Sequence, residues 1–351
     1  MNNICEMFSR GRLHHSAPSD IRTQLDSEAD RRLEALVYEE LFKAHLGKSL
    51  LNGDSHCSDW VICSAPSGNK VFYKAIRKKD LGNLNRASRE FINAVDEQAY
   101  FVYEENNNIY AYDTITGVTT DIKNTMPNPS AYVDLSKHLN SSKNRERCIR
   151  FLLDKNLEVD AYLLSLNRRL MNCYLEFGYQ RKISDLDVIA FVNNKLSYIE
   201  FKRKGPAPFE KFFGLDTFPH QHNANWLKRK GISSKNIILV PPFNEWKFDK
   251  KKVPFNNFHH PNKWQWLGCD LEPILNSKDF MSAKGEKGSM NKGSTSRKQV
   301  KIPWDSVQLI NKGLELSKND GLGWLNLRDF LSENLRDSPN IDFYKLKASA
   351  T

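Results

Sequence analysis

Apolar side chains recur along this chain at two spacings, every three to four residues in some stretches and every second residue in others, and the alternation marks out its elements. Over residues 27–46 the positions Ala29, Leu33, Leu36, Val37, Leu41 and Phe42 follow the helical spacing, with Ser27 and Asp30 as a cap and a first-turn acid. Residues 60–64, 71–76, 99–104 and 109–113 are rich in β-branched and aromatic side chains and predict strands, the last two joined by a turn at Asn106-Asn107-Asn108. Residues 1–20 are polar and aperiodic, which predicts a frayed end. Residues 1–140 thus read as an N-terminal α+β module, a candidate for substrate recognition.

From residue 143 a helical spacing runs through Cys148, Phe151, Leu152, Val159, Tyr162, Leu163, Leu166, Leu170 and Tyr174 and stops near Gly178. Three short apolar stretches follow, at 179–183, 187–192 and 196–202. A helix carrying Trp226 and Leu227 then leads to Gly231, and an apolar strand at 237–240 is halted by Pro241-Pro242. The order is helix, three strands, helix, strand, within a domain spanning 141–268. Residues 281–301 are rich in Gly, Ser and Lys, so 269–302 reads as a flexible basic linker. Helical spacing over 305–318 and 325–335 predicts a small helical unit at 303–351. No internal repeat is present.

The chain has 351 residues and is 40% apolar, enough for two or three domains with a core. No apolar run exceeds five residues, against about 20 for a membrane helix, and no signal-peptide pattern opens the chain, so a cytoplasmic protein is expected. The six cysteines are scattered without a C-x-x-C pair, which predicts reduced, mostly buried thiols rather than a disulfide framework or a zinc site. The formal charge of +10 is uneven. Residues 1–60 hold seven basic and ten acidic residues, whereas residues 200–263 hold 13 basic and five acidic, a net of +8. Such a region attracts a polyanion or simply keeps a face solvated, and composition does not choose.

The chemistry concentrates in residues 183–202, Ile-Ser-Asp-Leu-Asp-Val-Ile-Ala-Phe-Val-Asn-Asn-Lys-Leu-Ser-Tyr-Ile-Glu-Phe-Lys. Asn193-Asn194 suits a two-residue turn with positive φ, and hence a tight hairpin. Opposed residues then sum to 387, which sets Asp187 across from Glu200 and Asp185 across from Lys202. Alternation turns all four side chains to one face. Like charges about 5 Å apart need compensation, and a divalent cation supplies it: Mg²⁺ takes one or two carboxylates plus waters and a phosphate oxygen. Lys202 would orient or deprotonate a water beside the metal and stabilise charge on a phosphate. The pattern acid-x-Lys recurs at 121–123, 245–247 and 249–251, but only Glu200-Phe201-Lys202 sits in a strand with an acid aligned across a hairpin. The competing reading is an exposed hairpin with charges of both signs.

Asp187-Val-Ile-Ala, a short turn, and Ile199-Glu200-Phe201-Lys202 resemble the active-site motif of the PD-(D/E)XK nuclease superfamily, which includes restriction endonucleases, Holliday-junction resolvases and VRR-NUC-type repair nucleases. The element order over 143–240 is similar to that family's core, and Gln221, Trp226-Leu227, Gly231 and the strand at 237–240 match its resolvase and VRR-NUC branches. The resemblance implies an α/β, restriction-endonuclease-like fold with a mixed central sheet flanked by helices. It implies that Asp187, Glu200 and the backbone carbonyl of Phe201 bind Mg²⁺, with Mn²⁺ able to substitute, that Lys202 serves the attacking water, and that Gln221 touches the substrate or tunes the site. Asp185 and Glu176 are further candidate ligands, the latter by analogy with a helix glutamate. Ser184-Asp185-Leu186 stands where a proline often precedes the metal aspartate.

Around this motif lie three basic clusters, Lys202-Arg203-Lys204, Lys228-Arg229-Lys230 and Lys250-Lys251-Lys252, which beside a nuclease site read as phosphate contacts and elsewhere as solvated faces. Trp246, Trp264 and Trp266 read as core or as stacking platforms. His220 and His222, and likewise His259-His260, read as substrate-facing or exposed rather than zinc-binding. No P-loop is present, so no nucleotide cofactor is expected. The expectation is a Mg²⁺-dependent DNA endonuclease of restriction or defence type, bound to DNA in the nucleoid, with a homodimer suggested by double-strand cleavage. A structure-selective repair nuclease, action on RNA, and a non-cleaving nucleic-acid-binding protein are the alternatives.

Overall fold

Each strand and helix follows from the spacing that encodes it, and the elements assemble into two units, residues 1–37 with 57–187 and residues 38–56 with 188–351. The structure is a computed structural model that describes residues 5, 18–28, 30–128, 143–154, 160–180, 182–205, 212–241, 264–277, 279–284, 296–313 and 323–332. It is an α/β fold built on mixed sheets flanked by helices.

The first unit opens with α1 (Pro18–Ser27) and the start of α2 (Asp30–Ser49). Its sheet runs β1 (Ser55–Ser64), β2 (Lys70–Ala75), β3 (Gln98–Glu105), β4 (Asn108–Asp113), β5 (Thr119–Asp121) in spatial order. β2 and β3 are parallel and need a crossover, which α3 (Arg86–Val95) supplies. Asn85 caps it by accepting from Ser88 N at 2.9 Å, and Asp96 ends it in the left-handed conformation. β3 and β4 turn at Asn106 and Asn107, both at positive φ. One sheet face packs Trp60 and Phe72 against Phe91 and Phe101. The other packs Val61, Cys63, Tyr73 and Val102 against a helical stretch. After α4 (Lys143–Leu152), that stretch is α5 (Ala161–Arg169), which continues through a π turn (Leu170–Leu175) to Gly178.

β6 (Ile183–Val192) begins in the first unit and ends in the second. In the second unit it pairs with β7 (Lys195–Arg203), and the order continues β9 (Ser233–Val240), β10 (Gln265–Asp270), β13 (Gln308–Lys312). β7 and β9 are parallel, joined through β8 (Phe212–Asp216) and α6 (His220–Arg229). Beyond β10 come α7 (Leu271–Asn276), β11 (Phe280–Lys284) and β12 (Ser296–Pro303), and β11, β12 and β8 make a separate three-stranded antiparallel sheet. One face of the large sheet, with Val188, Ala190, Ile199, Phe201, Ile237 and Trp266, is covered by Tyr38, Phe42 and Leu46 of α2 and by Leu327 and Phe330 of α8 (Gly323–Leu331). Phe42 stacks on Phe201 with ring centroids 4.5 Å apart.

The hairpin over β6 and β7, the helix ending at Gly178, and all four strands expected before residue 120 are present. Other expectations need correction. Of the end expected to fray over 1–20, residues 18–20 belong to α1, while 1–4 and 6–17 lie outside the described residues, and the helix expected from Ser27 starts at Asp30. Residues 179–183 and 187–192 are not two strands; β6 begins at Ile183. The stretch expected as a flexible basic linker carries α7, β11 and β12, because Val300 and Ile302 bury one side of a strand whose other side is polar. Residues 304–312 form a 3₁₀ turn and β13 in place of the helix expected over 305–318, α8 is a helix as expected, and residues 314–322 and 333–351 of the expected C-terminal unit lie outside the described residues. Cys5 and Cys173 form a disulfide instead of two thiols, while Cys57, Cys63, Cys148 and Cys269 are buried thiols, as expected.

Candidate functional site

The two asparagines of the β6–β7 turn have φ of 49° and 61°, the left-handed values that a two-residue hairpin turn demands. Every pair in the ladder, from Val192↔Lys195 to Val188↔Ile199, sums to 387, the register the sequence predicts. Asp187 is the next residue along β6 and Glu200 the next along β7. Asp187 is half-buried.

Glu200 is 1% exposed, and its carboxylate is engaged on both oxygens. Lys202 Nζ pairs with Oε1. The Tyr198 hydroxyl donates to Oε2, and His220 Nδ1 lies 3.2 Å from the same oxygen, too far off axis for a well-formed hydrogen bond. Tyr198, Glu200 and Lys202 alternate along β7 and share the face opposite the Phe201 core. His220 arrives from the first position of α6. Burial alone would raise the Glu200 carboxyl; the charges of His220 and Lys202 and their polar contacts outweigh it and hold the group well below the usual carboxylate range. In the β7–β9 ladder Glu200 lies beside Asn236 and Tyr198 beside Ser234. Asn236 Oδ1, Ser234 Oγ and His220 Nδ1 are all buried without a hydrogen-bond partner. The two ladder neighbours thus each leave a buried oxygen that a water could satisfy.

Lys204, one step further on the same face, reaches the three-stranded sheet, where its ammonium donates to the Gly214 carbonyl. Burial depresses its ammonium, Asp216 opposes that shift and Lys202 adds to it. Gln299 Nε2 donates to Asp216 Oδ1 at 2.7 Å. A β-carbon on Gly214 would lie 2.4 Å from Gln299 Oε1, so glycine is what lets that side chain lie flat on β8.

The remaining expected residues are dispersed. The Asp185 carboxylate is 3.4 Å from Arg32 Nη2 within the first unit. Glu176 sits in the last helical turn before β6, half-buried. Gln221 donates through Nε2 to the Leu275 carbonyl at 2.7 Å and so ties α6 to α7. Phe201 lies opposite Ile237 in the ladder with its ring in the core. The Arg203 guanidinium covers the Tyr38 ring at 4.6 Å, Lys228 pairs with Glu272 at 2.7 Å, Arg229 is exposed, and Lys230 lies over Trp226. Trp264 and Trp266 are core residues, and His222 is exposed. Lys250, Lys251, Lys252, Trp246, His259 and His260 lie outside the described residues.

Tyr198 is absent from the sequence reading, although the alternation that aligns Glu200 with Lys202 includes it. His220, expected to be substrate-facing or exposed, instead lies against Glu200 with its side chain 13% exposed, because tertiary folding brings the start of α6 to β7. Among the described residues no group of three or more His, Cys, Asp or Glu stands assembled as a metal cage. No protein-family model, curated protein or solved structure matches the chain.

Proposed function

We propose that the protein is a divalent-cation-dependent endonuclease of the PD-(D/E)XK kind that hydrolyses phosphodiester bonds in DNA. The observation that carries this reading is the buried carboxylate of Glu200 paired with Lys202, at the end of a hairpin whose next β6 residue is Asp187. A carboxylate that remains ionised inside a protein is costly to keep without a task or a partner, and this one has a cationic partner that is itself 39% exposed.

Two carboxylates meet what Mg²⁺ asks of a protein, with waters and a phosphate oxygen filling the rest. The cation, when bound, would supply a Lewis acid for the phosphate and an acidified water. Glu200 and Asp187 would hold it. Lys202 would exchange Glu200 for the attacking water or the phosphate, which its exposed side chain permits. Lys298, exposed on β12, and Arg229, exposed on α6, would meet the backbone of the nucleic acid. The parallel β7–β9 pair and the crossover through α6 support the same family, since they supply the strand, helix, strand order that follows the motif.

Supercoiled plasmid incubated with the purified protein and Mg²⁺ should be nicked or linearised, and Asp187→Ala, Glu200→Gln and Lys202→Ala should each lower the rate by at least about 100-fold. Parallel reactions on branched DNA, single-stranded DNA and RNA identify the substrate. If the wild-type chain cuts none of these with Mg²⁺ or Mn²⁺, the proposal is wrong, and binding without cutting would leave a nucleic-acid-binding protein.

A further inference from the structure

Glu200 is held unequally at its two oxygens. Oε1 has Lys202, whose side chain is 39% exposed and so reaches solvent. Oε2 has Tyr198, which is wholly buried, and His220, whose side chain is 13% exposed. Tyr198 cannot leave without disturbing the packing around it, and His220 is largely covered. We infer that Tyr198 and His220 are positioning residues, fixing Glu200 by Oε2 so that Oε1 is the edge presented to a divalent cation once Lys202 moves away. The inference rests on the nuclease reading and adds to it which atom of Glu200 is offered and what holds it there.

His220 is placed with some care. Thr217, three residues earlier, donates from both N and Oγ1 to the Lys298 carbonyl at 3.0 Å. Gln221 N closes back on the Thr217 carbonyl at 2.7 Å, and the Gln221 side chain grips the Leu275 carbonyl. The segment leading into α6 is therefore anchored to β12 through Thr217, and the first turn to α7 through Gln221. Gln221, expected to face substrate, serves this anchoring. Tyr198 is fixed by strand pairing with Ile189 and Ser234. Carboxylates that bind metals are themselves hydrogen-bonded from behind, because an ordered ligand loses less freedom when the ion binds. His220 Nδ1 is buried and stands 3.2 Å from Oε2, within reach of such a bond.

Calorimetric titration of Mn²⁺ into the full chain tests this without reference to cleavage. Thermal melts of each variant report folding separately. Glu200→Gln should abolish binding. Tyr198→Phe and His220→Ala should weaken it by about 10-fold to 100-fold while remaining folded. His220→Asn, which keeps an N–H donor near the place of Nδ1, should recover most of the loss, and Lys202→Met should bind at least as tightly as wild type because Oε1 is then released. If Tyr198→Phe and His220→Ala fold and bind Mn²⁺ like wild type, the positioning role is refuted while the nuclease reading stands. If wild type binds no Mn²⁺, or Glu200→Gln binds it unchanged, both fall together.

Discussion

Glu28 offers the sharpest test of how the first unit holds together. Its carboxylate takes two parallel bonds from Arg168, Nε to Oε1 at 2.8 Å and Nη2 to Oε2 at 3.1 Å, and a third from Asn172 Nδ2 at 3.1 Å. Both charged side chains are about one-tenth exposed, at 10% and 9%. Burial works against the carboxylate, but Arg168, then Arg32 and Asn172, overcome it and keep the group below its ordinary range. Glu28→Gln keeps the shape, removes the charge and strands the Arg168 guanidinium in the interior. Breaking a buried pair in this way costs about 3–5 kcal/mol, and the surviving amide oxygen argues for the lower end. With a urea slope of roughly 2 kcal/mol/M for a unit of this size, the midpoint should fall by ~1.5 M at pH 7. Because the folded carboxyl titrates below the unfolded one, its contribution is full above the unfolded value of about 4.3 and is lost as pH falls through the folded value. The gap between wild type and Glu28→Gln should thus be constant from pH 8 to about pH 5 and close on further acidification. Glu28→Leu with Arg168→Met should recover more than half of the loss, since an apolar pair has no charge to desolvate. A midpoint shift under about 0.3 M at pH 7, or a gap that widens on acidification, would refute the argument.

Two further outcomes follow from other parts of the molecule. Asp54 accepts from Arg328 Nε at 2.9 Å and from Asn193 N at 3.1 Å, and Arg328 also donates to Asn193 Oδ1, so α8 clamps the β6–β7 turn; Asp54→Ala should cost about 2–3 kcal/mol in urea unfolding, and a double-mutant cycle with Arg328→Met should show coupling of at least about 1 kcal/mol, additivity being the disproof. Burial raises the thiols of Cys57, Cys63 and Cys269, the last to about 12 with Asp270 adding to the effect, so a disulfide-exchange reagent should label the native chain slowly and reach four thiols per chain in denaturant without reductant, whereas fast native labelling or six thiols would contradict the structure.

What the sequence makes legible is local. The Asn193-Asn194 pair needs positive φ and so sets the turn, and a period of two then sets the register of β6 and β7 without tertiary information. Residues 296–303 resemble a linker because their neighbours are Ser, Lys and Gly, although Val300 and Ile302 already alternate with Gln299 and Lys301. Trp304, Val307 and Ile310 are spaced by three and imitate a helix; a 3₁₀ turn followed by a strand buries the same three side chains. Cys5 and Cys173 are 168 residues apart, and no spacing rule links them. At the site, Glu200 and Lys202 are fixed by their strand, but the engagement of Asp185 by Arg32 and of Gln221 by Leu275 is tertiary and lay beyond any periodicity.

The division between the units has a consequence for synthesis. Tyr38, Phe42 and Leu46 leave the ribosome early, yet the core they complete is made by residues from Val188 to Leu331, more than a hundred positions later. They must stay unsatisfied, or be shielded, while most of the chain is translated. The second unit is therefore bound to mature late, through contacts of long sequence separation. A fragment that begins at residue 141 would carry the whole hairpin and still lack the ring that stacks on Phe201.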